Sequence, residues 1–415
     1  MTELPRSDPL AAVSPLDGRY ARRTAALSPY ASESGLMRAR VQVEADYLLA
    51  LADLDAVPID LTDTESNALT EAYEAFDAAD ARLIKDLEVD GADGYSATNH
   101  DVKAVEYFLR IRLDEADAVD DAERLYPWIH FGLTSEDVNN LAHRLLVKPA
   151  VETVLVPELQ ALRDELVDLA HEHGDLSMLA RTHGQPATPT TFGKEMAVYA
   201  SRLGKAIGRL QAATDDLSGK LAGASGTYAA HHAAYPDVDW QTFSESFVTG
   251  LGLDHTGLAT QVNPCDDLEA VFDALRGVNN VLIDMDRDMW LYISDRYLGQ
   301  RTVDGETGSS TMPHKVNPID FENSEGNLSK ANSDLTFLGD YITTSRLQRD
   351  LSDSTVKRNI GAAFGHCLIG YKKAAAGLDK IVPNEQVMTE ELESTPEIIG
   401  EAVQTILRRE GDTEA

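Results

Sequence analysis

Lysine is scarce in this chain. It supplies 12 of the 36 basic residues, which face 70 acidic ones, for a formal net charge of -34. A surface that negative repels nucleic acid and anionic membranes, so neither is expected as a partner. The acid is scattered through amphipathic segments and does not gather in one tail. With little lysine, that is the composition of a surface adapted to strong salt, where self-repulsion is screened; an ordinary acidic protein is the plainer alternative. Cysteine is scarcer still. Cys265 and Cys367 form no CxxC and no disulfide framework, which points to a reduced, cytoplasmic protein. No run of 18 apolar residues and no basic-then-apolar leader occurs, so neither a membrane span nor an export signal is expected.

Several catalytic signatures are missing as well. There is no G-x-S-x-G elbow of a serine hydrolase. His171 and His173 are spaced i,i+2 and would face different sides of a helix, and His231 and His232 lack a carboxylate or cysteine at ligand spacing. The Gly-rich run GKLAGASGTY (219–228) is neither a Walker loop nor a dinucleotide fingerprint. No metal and no dinucleotide is expected.

What is present is helical periodicity. Leu159, Leu162, Leu166, Val167 and Ala170 repeat at three- and four-residue spacing, with Pro157 suited to a first turn and Gly174 to a stop. Met196, Tyr199, Ala200, Leu203, Ile207 and Leu210 mark a second helix, and Leu268, Val271, Phe272, Leu275, Val278 and Leu282 a third, from about Asp266 to Asp295. Strand patterns are rare. Long helices joined by loops read as an all-α bundle. Gly/Ser/Pro-rich loops are expected at 181–191, 222–228 and 304–318, and a short solvated insertion at 89–97. Domain boundaries are expected near residues 115 and 365, giving helical segments 1–115, 116–365 and 366–415.

Six segments could carry chemistry. GETGSSTMPHKVNP (305–318) offers small hydroxyls, accessible backbone amides, the cation of Lys315 and the amide of Asn317, as an anion-binding loop requires; an ordinary surface loop has the same composition. In RTHGQPAT (181–188), Gly184 and Pro186 keep His183 out of regular helix, where its ring can face a cleft or simply be structural. TNHDVK and HFGLTSED add His100, Asp101, His130, Thr134 and Ser135, with helix capping the default explanation for Thr98 or Ser135. DGRY places Arg19 and Tyr20 in a turn. RLQRDLSDSTVKRN brings Arg346, Arg349, Ser354 and Arg358, and arginine with nearby serine is a natural phosphate grip.

Taken together these segments resemble one family. GSSTMPHKVNP is similar to the signature loop of the fumarase/aspartase superfamily, whose members release fumarate by β-elimination. RTHGQPATPTTFGKE, TNHDVKAVEYFL, FGLTSEDVNNL, DFENSEGNL and RDLSDSTVKRN resemble the bacterial-type adenylosuccinate lyases, in order and at matching separations, from SPLDGRY to about Arg409. The resemblance implies a central bundle of long helices flanked by smaller helical N- and C-terminal domains, and a homotetramer whose active sites are shared between subunits. It implies fumarate release from two succinylated purine nucleotides, adenylosuccinate and the succinylated carboxamide ribotide SAICAR, with no metal or organic cofactor.

The resemblance also implies site roles. Ser309 is the base, with Ser310 the weaker alternative, and His183 protonates the departing nitrogen, with His100 a possible helper. Lys315 and Asn317 lie near the succinyl group. Arg19, Tyr20, Arg349, Ser354 and Arg358 match the nucleotide and phosphate grip; Asn99, His100, Asp101, Thr134, Ser135 and Gln261 match further substrate contacts. The superfamily also holds argininosuccinate lyases, fumarases and inactive structural members; His314 and the phosphate grip set this chain apart from the first two. Two departures stand out: Cys265 replaces a histidine of the bacterial-type pattern, and that pattern continues for several helical turns past EGDTEA.

Overall fold

Capping and close backbone approach set the first long helix. The structure, a computed structural model, describes residues 8–116, 121–301 and 316–412. Helix α1 (Glu33–Ala52) starts where the Ser32 hydroxyl accepts from Gly35 N–H at 3.1 Å. Only glycine fits at position 35, because a Cβ there would meet the Pro29 carbonyl oxygen at 2.4 Å. Then follow α2 (Asp101–Glu115), α3 (Ser135–Ala150) and α4 (Val156–Glu172). A π-helical turn, Val151–Leu155, joins α3 to α4 just after Pro149, whose missing N–H breaks the regular ladder.

Strands β1 (Ser177–Thr182) and β2 (Gln185–Thr191) form an antiparallel hairpin before α5 (Phe192–Asp215). The long helices α6 (Asp266–Ser294), α7 (Ile319–Ile342) and α9 (Ile360–Leu378) complete the frame, with short α8 (Ser352–Lys357) between the last two. The three helices expected from periodicity are α4, α5 and α6. The loop expected over 181–191 is mostly strand: Pro186 and Pro189 argue against a central strand, but a two-stranded ribbon is all edge and tolerates them. Among the described residues the strands form three two-stranded sheets, so the fold is all-α with small hairpin and bridge additions. No described helix is long and apolar enough to cross a membrane.

Grouped by contact, the chain forms two units, and the division falls inside α5, α6, α7 and α9. The first unit holds residues up to 154, 211–273 and 334–364. Its core includes Leu36 and Ala39 of α1 packed with Ala142 and Leu146 of α3. The second unit holds 155–210, 274–333 and 365 onward. There the α6 residues Leu275, Val278 and Leu282 are fully buried, each contributing roughly 1.5–3 kcal/mol. A polar knot sits in that core: Asn279 accepts from the Tyr371 hydroxyl at 2.8 Å and donates to Asn332 at 2.9 Å.

Candidate active site

Most of the expected binding residues lie in the first unit, around the N-terminus of α3. Helix α3 opens after Thr134, whose N–H donates to the Asp137 carboxylate at 2.9 Å. That leaves the Ser135 hydroxyl to face outward, 3.5 Å from His100 Nε2. His100 itself caps α2, its Nδ1 accepting from Lys103 N–H at 3.2 Å. The capping expected of Thr98 or Ser135 thus falls to their neighbours His100 and Thr134. Asp101 takes the Arg40 guanidinium at 2.7 Å and Arg358 at 3.4 Å. Burial would raise the Asp101 pKa, but the charge and hydrogen bond of Arg40 outweigh it and hold the carboxyl below its ordinary value.

A second cluster forms on the chain just before α8. Arg349 donates to Gln261 Oε1 at 3.1 Å and to Ser354 Oγ at 3.5 Å, and Gln261 donates onward to the Ala224 carbonyl at 2.8 Å. Arg358 is tied to Glu33 at 2.7 Å. Arg346, by contrast, is exposed and among the described residues pairs only with nearby Asp350, a solvated arrangement. Arg19 is exposed and Tyr20 half-buried in the turn 15–20. The Tyr20 ring lies under Arg23 at 5.9 Å, and no side-chain polar contact joins this pair to the other candidates among the described residues.

Beneath these residues runs a buried polar network. Asp137 and Lys220 are both fully buried and pair at 2.8 Å. The Asp137 carboxylate also accepts from Ala222 and Gly223 N–H, at 2.9 and 3.3 Å. Asn140 bonds Lys220 through both its backbone groups, at 2.9 and 3.0 Å. The Gly-rich run 219–228 therefore docks under α3. The contacts close into a ring: Asp137 to residues 220–223, Ala224 to Gln261, Gln261 to Arg349, and Arg349 back to Glu136 at 3.6 Å.

Nearby, His130 pairs with buried Glu44 at 2.5 Å. Burial would lower the His130 pKa, but the Glu44 carboxylate pushes it up to about 9. The Tyr47 hydroxyl lies 3.1 Å from His231 Nε2 and donates to the Phe131 carbonyl. Asn99, His130, Tyr228 and Leu347 all hold left-handed backbone, φ 48° to 61°. Such strain collects where surrounding structure must fix a geometry.

His183 lies in the second unit. With Gly184 it makes the two-residue turn between β1 and β2, both left-handed at φ 55° and 72°. Its ring is exposed, with no hydrogen-bond partner among the described residues. Arg181 and the Tyr297 hydroxyl both bond Glu391, which tethers β1. A cavity of about 530 Å³ opens beside the turn, lined by Arg181, Gly184, Thr190, Asp288 and Tyr292 among others. Asn317 lies just before α7 and is half-buried. Ser309 and Lys315 fall outside the described residues, as do Ser310 and His314. Among the described residues no group of three or more His, Cys, Asp or Glu could hold a metal ion.

The sequence reading overlooked Glu136, Asp137, Lys220 and Lys357. A usable signal was present, since in a chain so poor in lysine each one outside a solvated face is worth asking about. Lys357 is buried; burial would lower its pKa, yet Cys265, Glu136 and Asp353 hold it well above the ordinary lysine value. Arg144 is likewise buried, gripping Asp267 with two bonds of 2.8 and 2.7 Å.

Residues 18–332 match the family model described as Lyase, and 345–415 that described as Adenylosuccinate lyase C-terminal. The chain is 47% identical to the adenylosuccinate lyase of Haemophilus influenzae over 405 residues, covering 97% of this chain and 86% of that one. Against the Escherichia coli enzyme of the same name the identity is 45% over the same shares, and against that of Dictyostelium discoideum 44%, covering 97% and 85%. In fold it is similar to a fumarate lyase from Mesorhizobium sp. BNC1, with a TM-score of 0.74 and 20% identity over 93% of this chain and 82% of that one. It is also similar to the 3-carboxy-cis,cis-muconate lactonizing enzyme of Pseudomonas putida, with a TM-score of 0.72 and 22% identity over 93% and 81%. On sequence and fold together, this chain belongs to the adenylosuccinate lyase family.

Proposed function

We propose that the chain releases fumarate from adenylosuccinate to give AMP, and from SAICAR to give AICAR. Membership of the family makes it a carbon–nitrogen lyase. In the mechanism, Ser309 removes the proton on the carbon beside the succinyl carboxylate, and charge builds there as an aci-anion. Lys315, Asn317 and backbone amides of the 305–318 loop stabilise that charge. The C–N bond then breaks, and His183 gives a proton to the departing nitrogen. Such acid catalysis is worth ~10²–10⁴-fold.

One observation supports the substrate assignment most. Arg349 is hydrogen-bonded to Gln261 and Ser354, and the ring that holds it closes through Glu136 and Asp137 in the first turn of α3, just after Thr134 and Ser135. That local arginine and hydroxyl cluster suits a nucleotide phosphate in a chain of net charge -34. A substrate without phosphate would have no use for it.

The assembly is proposed to be a homotetramer with shared active sites, working in the cytoplasm. Exposed apolar side chains on the long helices, including Trp290, Leu291 and Phe337, are consistent with surfaces covered on assembly. The acidic surface is proposed to suit strong salt. The test is the ultraviolet change on mixing protein with adenylosuccinate in low and in molar salt. AMP and fumarate should form, faster in high salt; no conversion in either, from an intact oligomer, would favour the rival lyases or a structural role.

A further inference from the structure

Glu136 stands beside Ser135 in the first turn of α3, and only 1% of it is exposed. Each of its carboxylate oxygens meets a different cation. Oε1 lies 3.3 Å from Lys357 Nζ, and Oε2 lies 3.6 Å from Arg349 Nη2. The two cations differ in kind. Lys357 is buried and also bonds Asp353 at 2.7 Å, so its ammonium is shared between two carboxylates. Arg349 is 17% exposed, and its other contacts among the described residues are to neutral partners, Gln261 and Ser354.

A buried carboxylate is costly unless compensated, and here the compensation is split. Lys357, shared with Asp353, and the N-terminal end of α3 answer part of the charge. What reaches Arg349 is a long, weak contact that aims the guanidinium without saturating it. We propose that Glu136 is a positioning residue for the phosphate monoester of the substrate. It orients Arg349 toward the phosphate, while Lys357 absorbs enough of its charge for Arg349 to go on attracting an anion. This rests on the reading of Arg349 and Ser354 as the phosphate grip.

Glu136→Gln would place an amide donor against the guanidinium and lose the aim. Lys357→Met would leave Glu136 to neutralise Arg349 instead. Calorimetric binding of AMP and of adenosine to both variants, well below their unfolding temperatures, tests this. AMP affinity should fall about tenfold in each, ~1.4 kcal/mol, while adenosine affinity stays within about twofold. Unchanged or tightened AMP binding by Glu136→Gln overturns the inference, because removing the carboxylate would then only have freed positive charge. Equal losses for AMP and adenosine also overturn it, since they mark a merely structural role. Arg349→Ala is the control. If it too leaves AMP binding intact, the phosphate reading itself fails; if it weakens AMP binding while Glu136→Gln does not, only the role of Glu136 fails. Should Glu136→Gln not fold, Lys357→Met carries the same comparison.

Discussion

The N-terminus of α3 and the β1–β2 turn are both built on strained backbone, yet they treat their side chains in opposite ways. Around α3, nearly every candidate binding group already has a partner: Arg358 has Glu33 and Asp101, Arg349 has Gln261 and Ser354, and a buried ion pair lies beneath. At the hairpin, left-handed backbone lifts His183 clear, and its ring is exposed and unpartnered among the described residues. The difference fits two tasks. Binding an anion gains from geometry fixed in advance, so little order is lost when the ligand arrives. Donating a proton needs a ring free to gain and lose it.

The sharpest break in that comparison is removal of His183, the proposed acid. His183→Ala should lower turnover of adenylosuccinate by ~10²–10⁴-fold, read by the ultraviolet assay, with the folded protein still binding AMP. A variant of normal rate would remove His183 from its role. Next in size is the buried support. Lys220→Met leaves Asp137 uncompensated in the interior and should cost about 3–5 kcal/mol of unfolding free energy in urea. Adding Asp137→Asn should recover part of that loss.

The His130–Glu44 pair gives a pH signature. The folded His130 pKa is raised to about 9, above the ordinary imidazole value, so its stabilisation is complete below about pH 6.5 and is lost as pH rises through 9. The unfolding free energy should therefore fall by roughly 3 kcal/mol across that window, and His130→Gln should flatten the slope. Smallest is the grip itself. Arg349→Ala should weaken AMP binding by roughly 1.5–3 kcal/mol, the worth of hydrogen bonds to a charged group, read by calorimetry.

How much of this was legible beforehand follows from how local each signal is. The helices α4, α5 and α6 show in the sequence because a 3.6-residue period is written into consecutive residues. The hairpin does not, because Pro186 and Pro189 hide a strand that pairs on one side only. Arg349 and Ser354 stand out by residue type as a phosphate grip and Gln261 only through the family resemblance, and the structure supplies the hydrogen bonds that join them. Glu136 and Asp137 are, by position alone, the acidic residues that any helix favours in its first turn. Their burial depends on Lys357 and Lys220, 221 and 83 residues away (357 − 136 and 220 − 137), and no local pattern carries such a pairing. The Gly-rich run 219–228 was read for what it fails to bind, while its place under α3 depends on that same pairing.

The division between a grip set in advance and an exposed acid is tested most directly by kcat and KM for adenylosuccinate, measured side by side in His183→Ala and Arg349→Ala. The account predicts that His183→Ala loses kcat with little change in KM, and that Arg349→Ala raises KM while keeping most of kcat. A collapse of kcat in Arg349→Ala, or a His183→Ala enzyme that loses only affinity, would contradict it.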